Sequence, residues 1–240
     1  MNEIFDFDVF RTLYIFKGHI ENRTPLLIGS GKSEELGSSV DIPIIRYSHN
    51  DKPYIPGSSL KGVLRNLFES IARARGQETC LLDEKKMKKI EEKSPCIVCQ
   101  VFGNTSLASH IYVYDCIADE KEVPIDTKTG IAIDRFLGVA KAGALFEEEF
   151  ISPGVKWEME IRIFNIDLEN PQGEEEKNKA EIMKEVFRIW SSIGIHVGSR
   201  KTVGHGLLYL LKDETTVTKY TLENGVLKGE KWSLKDWLGE

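Results

Sequence analysis

Residues 156–164 read KWEMEIRIF, with Trp157, Met159, Ile161 and Ile163 apolar and Lys156, Glu158, Glu160 and Arg162 charged between them. Side chains that alternate this strictly belong to a β-strand with one buried and one wet face. Such a strand needs a second layer over its apolar face. Two stretches of helical period can supply it. After Pro56-Gly57-Ser58-Ser59, a serine-capped start, Leu60, Val63, Leu64, Leu67, Phe68 and Ile71 recur at helical spacing, and Gly76 ends the run. Further on, Ile182, Val186, Trp190 and Ile193 form one apolar helical face.

The rest of the chain falls into place around these elements. Residues 11–22 alternate and are rich in β-formers, so they predict a strand, as do Ile111 to Tyr114 and Leu207 to Leu211. Leu26 to Ile28 is a short apolar run, residues 29–39 are a glycine- and serine-rich loop, and Ile42 to Ile45 is short and extended. Residues 118–152 hold few long apolar runs and predict a long hairpin. Gly173 to Lys179 reads as a charged connection, and Leu222 to Leu238 as a mixed, peripheral tail. Strand, helix, strand, strand, helix, strand is the order of a ferredoxin-like α+β fold. The expectation is one domain over 1–240, with insertions at about 77–105 and 118–152. No internal repeat is present.

Four cysteines and no long apolar run predict a cytoplasmic protein with reduced thiols, no signal peptide and no membrane association. The net charge of −6 argues mildly against nucleic acid as a partner. Phosphate binding, however, depends on local patches. The acids are clumped at Asp6, Asp8, Glu147 to Glu149 and Glu174 to Glu176. Residues 52–75 are basic, and residues 197–210 carry Arg200, Lys201 and His205 with no acid.

Gly29-Ser30-Gly31-Lys32-Ser33 superficially resembles a phosphate-binding P-loop. The leading glycine is missing, since position 26 is Leu, and residues 34–39 do not read as a helix. Two other places suit phosphate better. In the loop from Gly198 to Gly206, glycines let backbone amides approach closely, and Arg200 and Lys201 add charge. At the helix start, Ser58, Ser59 and Lys61 offer free N–H groups and a cation, with Arg65 one turn on. The plain alternatives are a flexible turn and a capped helix with solvated bases.

Several stretches occur in a fixed order: Pro53-Tyr54-Ile55-Pro56-Gly57-Ser58-Ser59-Leu60-Lys61-Gly62, Cys96-Ile97-Val98-Cys99-Gln100-Val101-Phe102-Gly103-Asn104, Ile133-Asp134-Arg135, Ala142-Gly143-Ala144-Leu145-Phe146, and the 198–206 loop. Together they resemble the RAMP superfamily of CRISPR-associated proteins, and within it the repeated backbone subunit of type III effector complexes. The resemblance runs from about residue 11 to residue 211. It implies an RRM-like ferredoxin core, an inserted zinc-knuckle lobe, and a thumb β-hairpin that displaces a base of the guide–target duplex. It implies that Ser58, Ser59, Lys61, Arg65, Arg200, Lys201, Gly204, His205 and Gly206 contact guide RNA (crRNA), with Arg135 and Lys141 at the thumb. The implied partners are guide RNA, target RNA, copies of the chain itself and other subunits of the complex.

The resemblance also singles out Asp41, in Val40-Asp41-Ile42-Pro43-Ile44-Ile45. The matching aspartate is needed for metal-dependent cutting of target RNA. A carboxylate there holds Mg²⁺ or another divalent ion, or serves as base, as a 2′-hydroxyl attacks the adjacent phosphate. Without the resemblance, Asp41 reads as a turn cap.

Cys80, Cys96 and Cys99 read as ligands of a structural zinc, since a Cys-x-x-Cys pair bites one tetrahedral ion and the lobe has little core of its own. The fourth ligand stays open among His110, Cys116, Asp83 and a neighbouring subunit. Strand geometry puts Cys116 roughly 20 Å from the start of the 111–116 strand. Trp190 reads as core, and the lysine run at 85–89 as a solvated face. The expected function is a metal-dependent endoribonuclease acting on guide-paired RNA at regular intervals. The alternatives are a nuclease-silent scaffold, a guide-processing RAMP endoribonuclease, and an unrelated zinc-bearing interaction module.

Overall fold

The computed structural model describes residues 7, 9–31, 40–80 and 95–240. Lys32, Ser33, Asp6, Asp8, Asp83 and the 85–89 run lie outside them. The strongly alternating sequences become the two central strands, β1 (Thr12–Asn22) and β7 (Lys156–Phe164). They pair antiparallel from Leu13↔Phe164 to Glu21↔Lys156. Between them come β2 (Tyr54–Ile55), α1 (Gly57–Ala74), α2 (Ile97–Phe102), β3 (Ile111–Val113), β4 (Cys116–Ala118), β5 (Ile125–Ile133) and β6 (Ala140–Ile151). After β7 come α3 (Gly173–Ser192), β8 (Ile195–His196), β9 (Leu207–Leu210), β10 (Thr216–Glu223), β11 (Val226–Ser233) and α4 (Leu234–Leu238).

All strand pairings of the main sheet are antiparallel. β3 and β4 lie in succession along the far edge of β7, and β2 extends β4. On the other side, β1 changes neighbour along its length. Residues 12–17 pair with β10 and residues 20–22 with β9. Gly18 sits at the change, where a Cβ would lie 2.4 Å from the Thr215 hydroxyl, so no larger residue fits. The strands flanking α1 and α3 in sequence thus lie in the order β9, β1, β7, then β3 with β4. β5 and β6 form a separate two-stranded hairpin, as expected for 118–152.

The core lies between the sheet and α1 and α3. Tyr14, Phe16, Ile20, Trp157, Met159, Ile161 and Ile163 point inward, against Leu60, Leu64 and Phe68 of α1 and Ile182, Val186, Phe187 and Trp190 of α3. Asn22 anchors the bottom of this layer. Its side chain accepts from Trp157 Nε1 at 3.1 Å and donates to the carbonyls of Ser152 at 2.9 Å and Thr24 at 3.1 Å. Asn22→Ala strands these groups in a buried place, so about 3 kcal/mol of stability should be lost. Urea unfolding measures this; a loss below about 1 kcal/mol would contradict it.

Four expectations need correction. Ser58 does not cap α1: the N-cap is Pro56, with no side-chain cap bond. The strand expected over 111–116 is broken into β3 and β4. The connection at 173–179 is the first part of α3, whose Glu174 to Glu176 complement the positive helix end, and Ile193 lies exposed beyond its last residue. The tail is peripheral only as far as β11, an exposed edge strand, and its last turn is buried. β10 pairs with β1, and Trp237 packs edge-on against Phe16 and Phe187, centroids 5.1 and 5.7 Å away. Among the described residues, no helix is long and apolar enough to cross a membrane.

Candidate functional site

Asp41 is exposed and sits where the root of the β5–β6 hairpin meets the rest of the chain. Its N–H donates to the Glu147 carbonyl at 3.0 Å, and its Oδ2 accepts the Glu147 N–H at 2.7 Å. Ile42 N–H also reaches the Glu147 carbonyl, at 3.1 Å, and Glu149 N–H returns to the Ile42 carbonyl at 3.0 Å. The next two side chains of β6 fasten two other segments. Buried Glu148 accepts from Arg200 Nε at 2.9 Å. Glu149 accepts from Ile44 N–H at 3.1 Å and from the Arg46 guanidinium at 3.2 Å. The Arg200 guanidinium also lies over the Phe146 ring, 4.8 Å from its centroid. The structure therefore brings Asp41 and Arg200 to adjacent positions on one strand. The glutamates that join them read in sequence only as a clump of charge.

The glycine loop is pinned. Gly206 has φ +78, and a Cβ there would lie 2.0 Å from the Val197 carbonyl oxygen. Its N–H donates to Pro25 O at 2.7 Å, and Ser199 N–H to Leu27 O at 2.8 Å. Arg200 (φ +59) and Gly204 (φ +93) flank a 3₁₀ turn over Lys201–Val203, which leaves Lys201 exposed. His205 is buried, and burial pushes its pKa down, so its ring is held neutral rather than offered as a cation.

The start of α1 differs from the expected open phosphate cradle. Asp115, between β3 and β4, accepts the Gly57 N–H at 2.7 Å and the Tyr47 hydroxyl at 2.9 Å. Pro56 O takes the N–H groups of Ser59 and Leu60. Nothing in the sequence flagged Asp115, 58 positions away from its partner. Replacing it with Ala should cost about 1–2 kcal/mol, the usual effect of losing a cap. Thermal unfolding of the variant checks this, and an unchanged midpoint would refute it. Lys61 is half-buried and donates to Ser109 Oγ at 2.8 Å; burial, aided by Arg65, lowers its pKa. Arg65 donates to the Gly103 carbonyl at 2.7 Å and to Cys99 Sγ at 3.5 Å.

Cys80, Cys96 and Cys99 converge as the spacing predicted, with their sulfurs within 4.8 Å of one another. Cys80 Sγ lies 3.1 Å from each of the other two. A tetrahedral zinc with bonds of about 2.3 Å holds its sulfurs about 3.8 Å apart, so the donor set suits the ion and Cys80 would draw back from the other two thiols to take it. Among the described residues no fourth ligand joins them. Cys116 is buried elsewhere, with its thiol pushed up to about 12 by burial. His110 Nδ1 lies 2.8 Å from the Phe164 carbonyl oxygen, and its ring stacks on Phe7.

Arg135 and Lys141 are exposed near the hairpin tip. Asp134 Oδ1 shapes the turn by accepting the N–H groups of Phe136 at 2.9 Å and Leu137 at 3.0 Å. Phe136 is thereby left 96% exposed, a feature that the sequence reading missed. An unpaired apolar ring at the end of an arm is suited to contact another molecule.

Comparison with known proteins gives a family and three curated relatives. The model of the family described as "RAMP superfamily" matches residues 19–209. Three curated relatives share the name "CRISPR system Cms endoribonuclease Csm3". The protein from Methanothermobacter thermautotrophicus is 39% identical over 102 residues, 42% of this chain and 37% of that protein. The protein from Methanocaldococcus jannaschii is 28% identical over 162 residues, 63% of this chain and 62% of that one. The protein from Enterococcus italicus is 25% identical over 230 residues, 88% of this chain and 96% of that one. The matches thus span less than two thirds of the first two relatives and nearly all of the third.

Proposed function

Since the chain belongs to the RAMP superfamily, we propose that it is a guide-RNA-binding backbone subunit of a type III CRISPR effector that cuts guide-paired target RNA at regular intervals. The name shared by its three relatives supports the endoribonuclease reading. The observation that carries it is the placement of Asp41 at the hairpin root, one oxygen bonded to Glu147 N–H, on the strand that also holds Arg200. The order β9, β1, β7, β3 with β4 supports a ferredoxin-like core, in one domain over 1–240 with insertions at about 77–105 and 118–152. The proposed site of action is the cytoplasm, among copies of the chain and other subunits of the complex.

In this reading guide phosphates lie along the glycine loop at Arg200, Lys201, Gly204, His205 and Gly206, and near Ser58, Ser59 and Lys61. Arg135 and Lys141 meet RNA from the hairpin. The hairpin unstacks one base, which frees the 2′-hydroxyl beside it to come in line with the next phosphate. Asp41 takes the hydroxyl proton, or would hold a divalent ion while solvent water takes that proton. The 2′-oxygen bonds to phosphorus and the bond to the 5′-oxygen breaks, the 5′-oxygen taking a proton from solvent water, which leaves a 2′,3′-cyclic phosphate and a 5′-hydroxyl. An ion such as Mg²⁺ would screen the developing negative charge. Cys80, Cys96 and Cys99 would hold a structural zinc that fastens the inserted lobe.

The test is to incubate the assembled complex with labelled complementary RNA and Mg²⁺. Evenly spaced products support the enzyme. Full binding without products under any divalent ion supports the scaffold reading, which the Asp41–Glu147 bond favours, since it gives Asp41 a docking role. Lys201→Ala should lower the salt slope of guide binding by about one phosphate contact, across RNA sequences. An unchanged slope would remove Lys201 from the interface.

A further inference from the structure

We propose that Arg65 serves the cysteine site and not a phosphate: it is a positioning residue that balances the charge of the metal-binding thiolates and locks α2 to α1. The proposal rests on the zinc reading given above. Three thiolates and one zinc ion carry a net negative charge, and the Cys99 sulfur belongs to a buried residue. A buried charge without a nearby countercharge is strongly unfavourable. Among the described residues, Arg65 is the cation that reaches a sulfur of the cluster, with its guanidinium 3.5 Å from Cys99 Sγ.

The second arm of the same guanidinium shows why the residue is Arg. It donates to the Gly103 carbonyl at 2.7 Å, and Gly103 is the C-cap of α2. One planar fork therefore grips the six-residue helix at Cys99 in its middle and at Gly103 just past its end. Gly103 has φ +76, and a Cβ there would lie 2.8 Å from the Leu107 carbonyl oxygen, which fixes the place of the acceptor. Lys61, one turn earlier on α1, is taken by Ser109 in the same segment. The side of α1 that reads in sequence as a basic RNA face is turned, at Arg65, toward the cysteine site. Hydrogen bonds from neighbouring groups to metal ligands orient them and tune the metal.

Three measurements on purified full-length chain test this: zinc release to a chelator, the thiolate-to-metal absorption band after cobalt(II) substitution, and the salt slope of guide binding. Arg65→Gln should release zinc about 10-fold or more faster than wild type. Its cobalt band should move to lower energy, because a thiolate that loses its N–H bond gives up charge more readily. Arg65→Lys, which keeps charge but loses the fork, should fall between the two. The salt slope should stay the same in both variants. Release rates and bands equal to wild type would overturn the proposal, as would a slope lowered by about one contact with zinc retention intact. Wild-type chain that carries no zinc would sink the zinc reading itself, and this inference with it.

Discussion

Asp41→Asn in the assembled complex is expected to slow target cutting by about 100-fold or more, with guide and target affinity unchanged or slightly higher. The structure makes this the right substitution. Asp41 also docks the 40–46 loop, by accepting the Glu147 N–H at 2.7 Å. An asparagine side-chain oxygen still accepts that bond, so the loop keeps its place while the charge is lost. Asp41→Ala removes both, and a slow Ala variant alone would not separate chemistry from docking. In the proposed role the carboxylate would act only as charge develops in the transition state, so its removal should not weaken ground-state binding. Deleting a negative charge beside RNA also removes a repulsion. If Asp41→Asn cuts at the wild-type rate while Asp41→Ala loosens the complex, Asp41 is a docking residue and the catalytic assignment is wrong.

The other large effect is expected from Cys96→Ser with Cys99→Ser. Purified wild-type chain should carry about one zinc, and the double variant none. Structural zinc contributes on the order of 10 kcal/mol to the folding of small metal-held units. The segment around α2 should therefore become protease-sensitive, while β1, β7 and α3 keep their protection. Cys96 is the N-cap of α2 and Cys99 lies within it, so the double variant would remove both thiols of this helix, while Ile97, Val98, Val101 and Phe102 keep it packed in the core. Metal analysis finding no zinc in fresh wild-type protein would refute the assignment. So would a double variant digested at the wild-type rate.

What could be read from the sequence was what a local pattern enforces. The alternation of KWEMEIRIF set the strand and its inward face residue by residue, and the convergence of Cys80, Cys96 and Cys99 followed from spacing in a core-poor segment. The misreadings have physical causes. Glu174 to Glu176 look like a solvated connection because they lack apolar neighbours, yet acids are what the first turn of a helix favours. Trp237 and Leu238 lie in a five-residue helix too short for a period to show, so their burial depends on Phe16 and Phe187, far away in sequence. Asp115 as the cap of α1, and Glu148 as the partner of Arg200, arise only through space. At the candidate site the residue types were visible, while their partners were not. Arg65 looked available for phosphate because nothing in sequence shows that Gly103 and Cys99 stand in front of it.

The backbone stitching between residues 41–42 and 147–149 has a mechanical consequence. Asp41 and β6 are joined by main-chain bonds in both directions, with no flexible side chain between them except the carboxylate itself. A push on the far end of the hairpin, where Phe136 projects, would reach Asp41 along β6, past the irregular pairing between Ile131 and Ile133. An RNA duplex that bends the arm would thereby move the carboxylate in the same stroke, so distortion of the strand and alignment for cutting would be geared together.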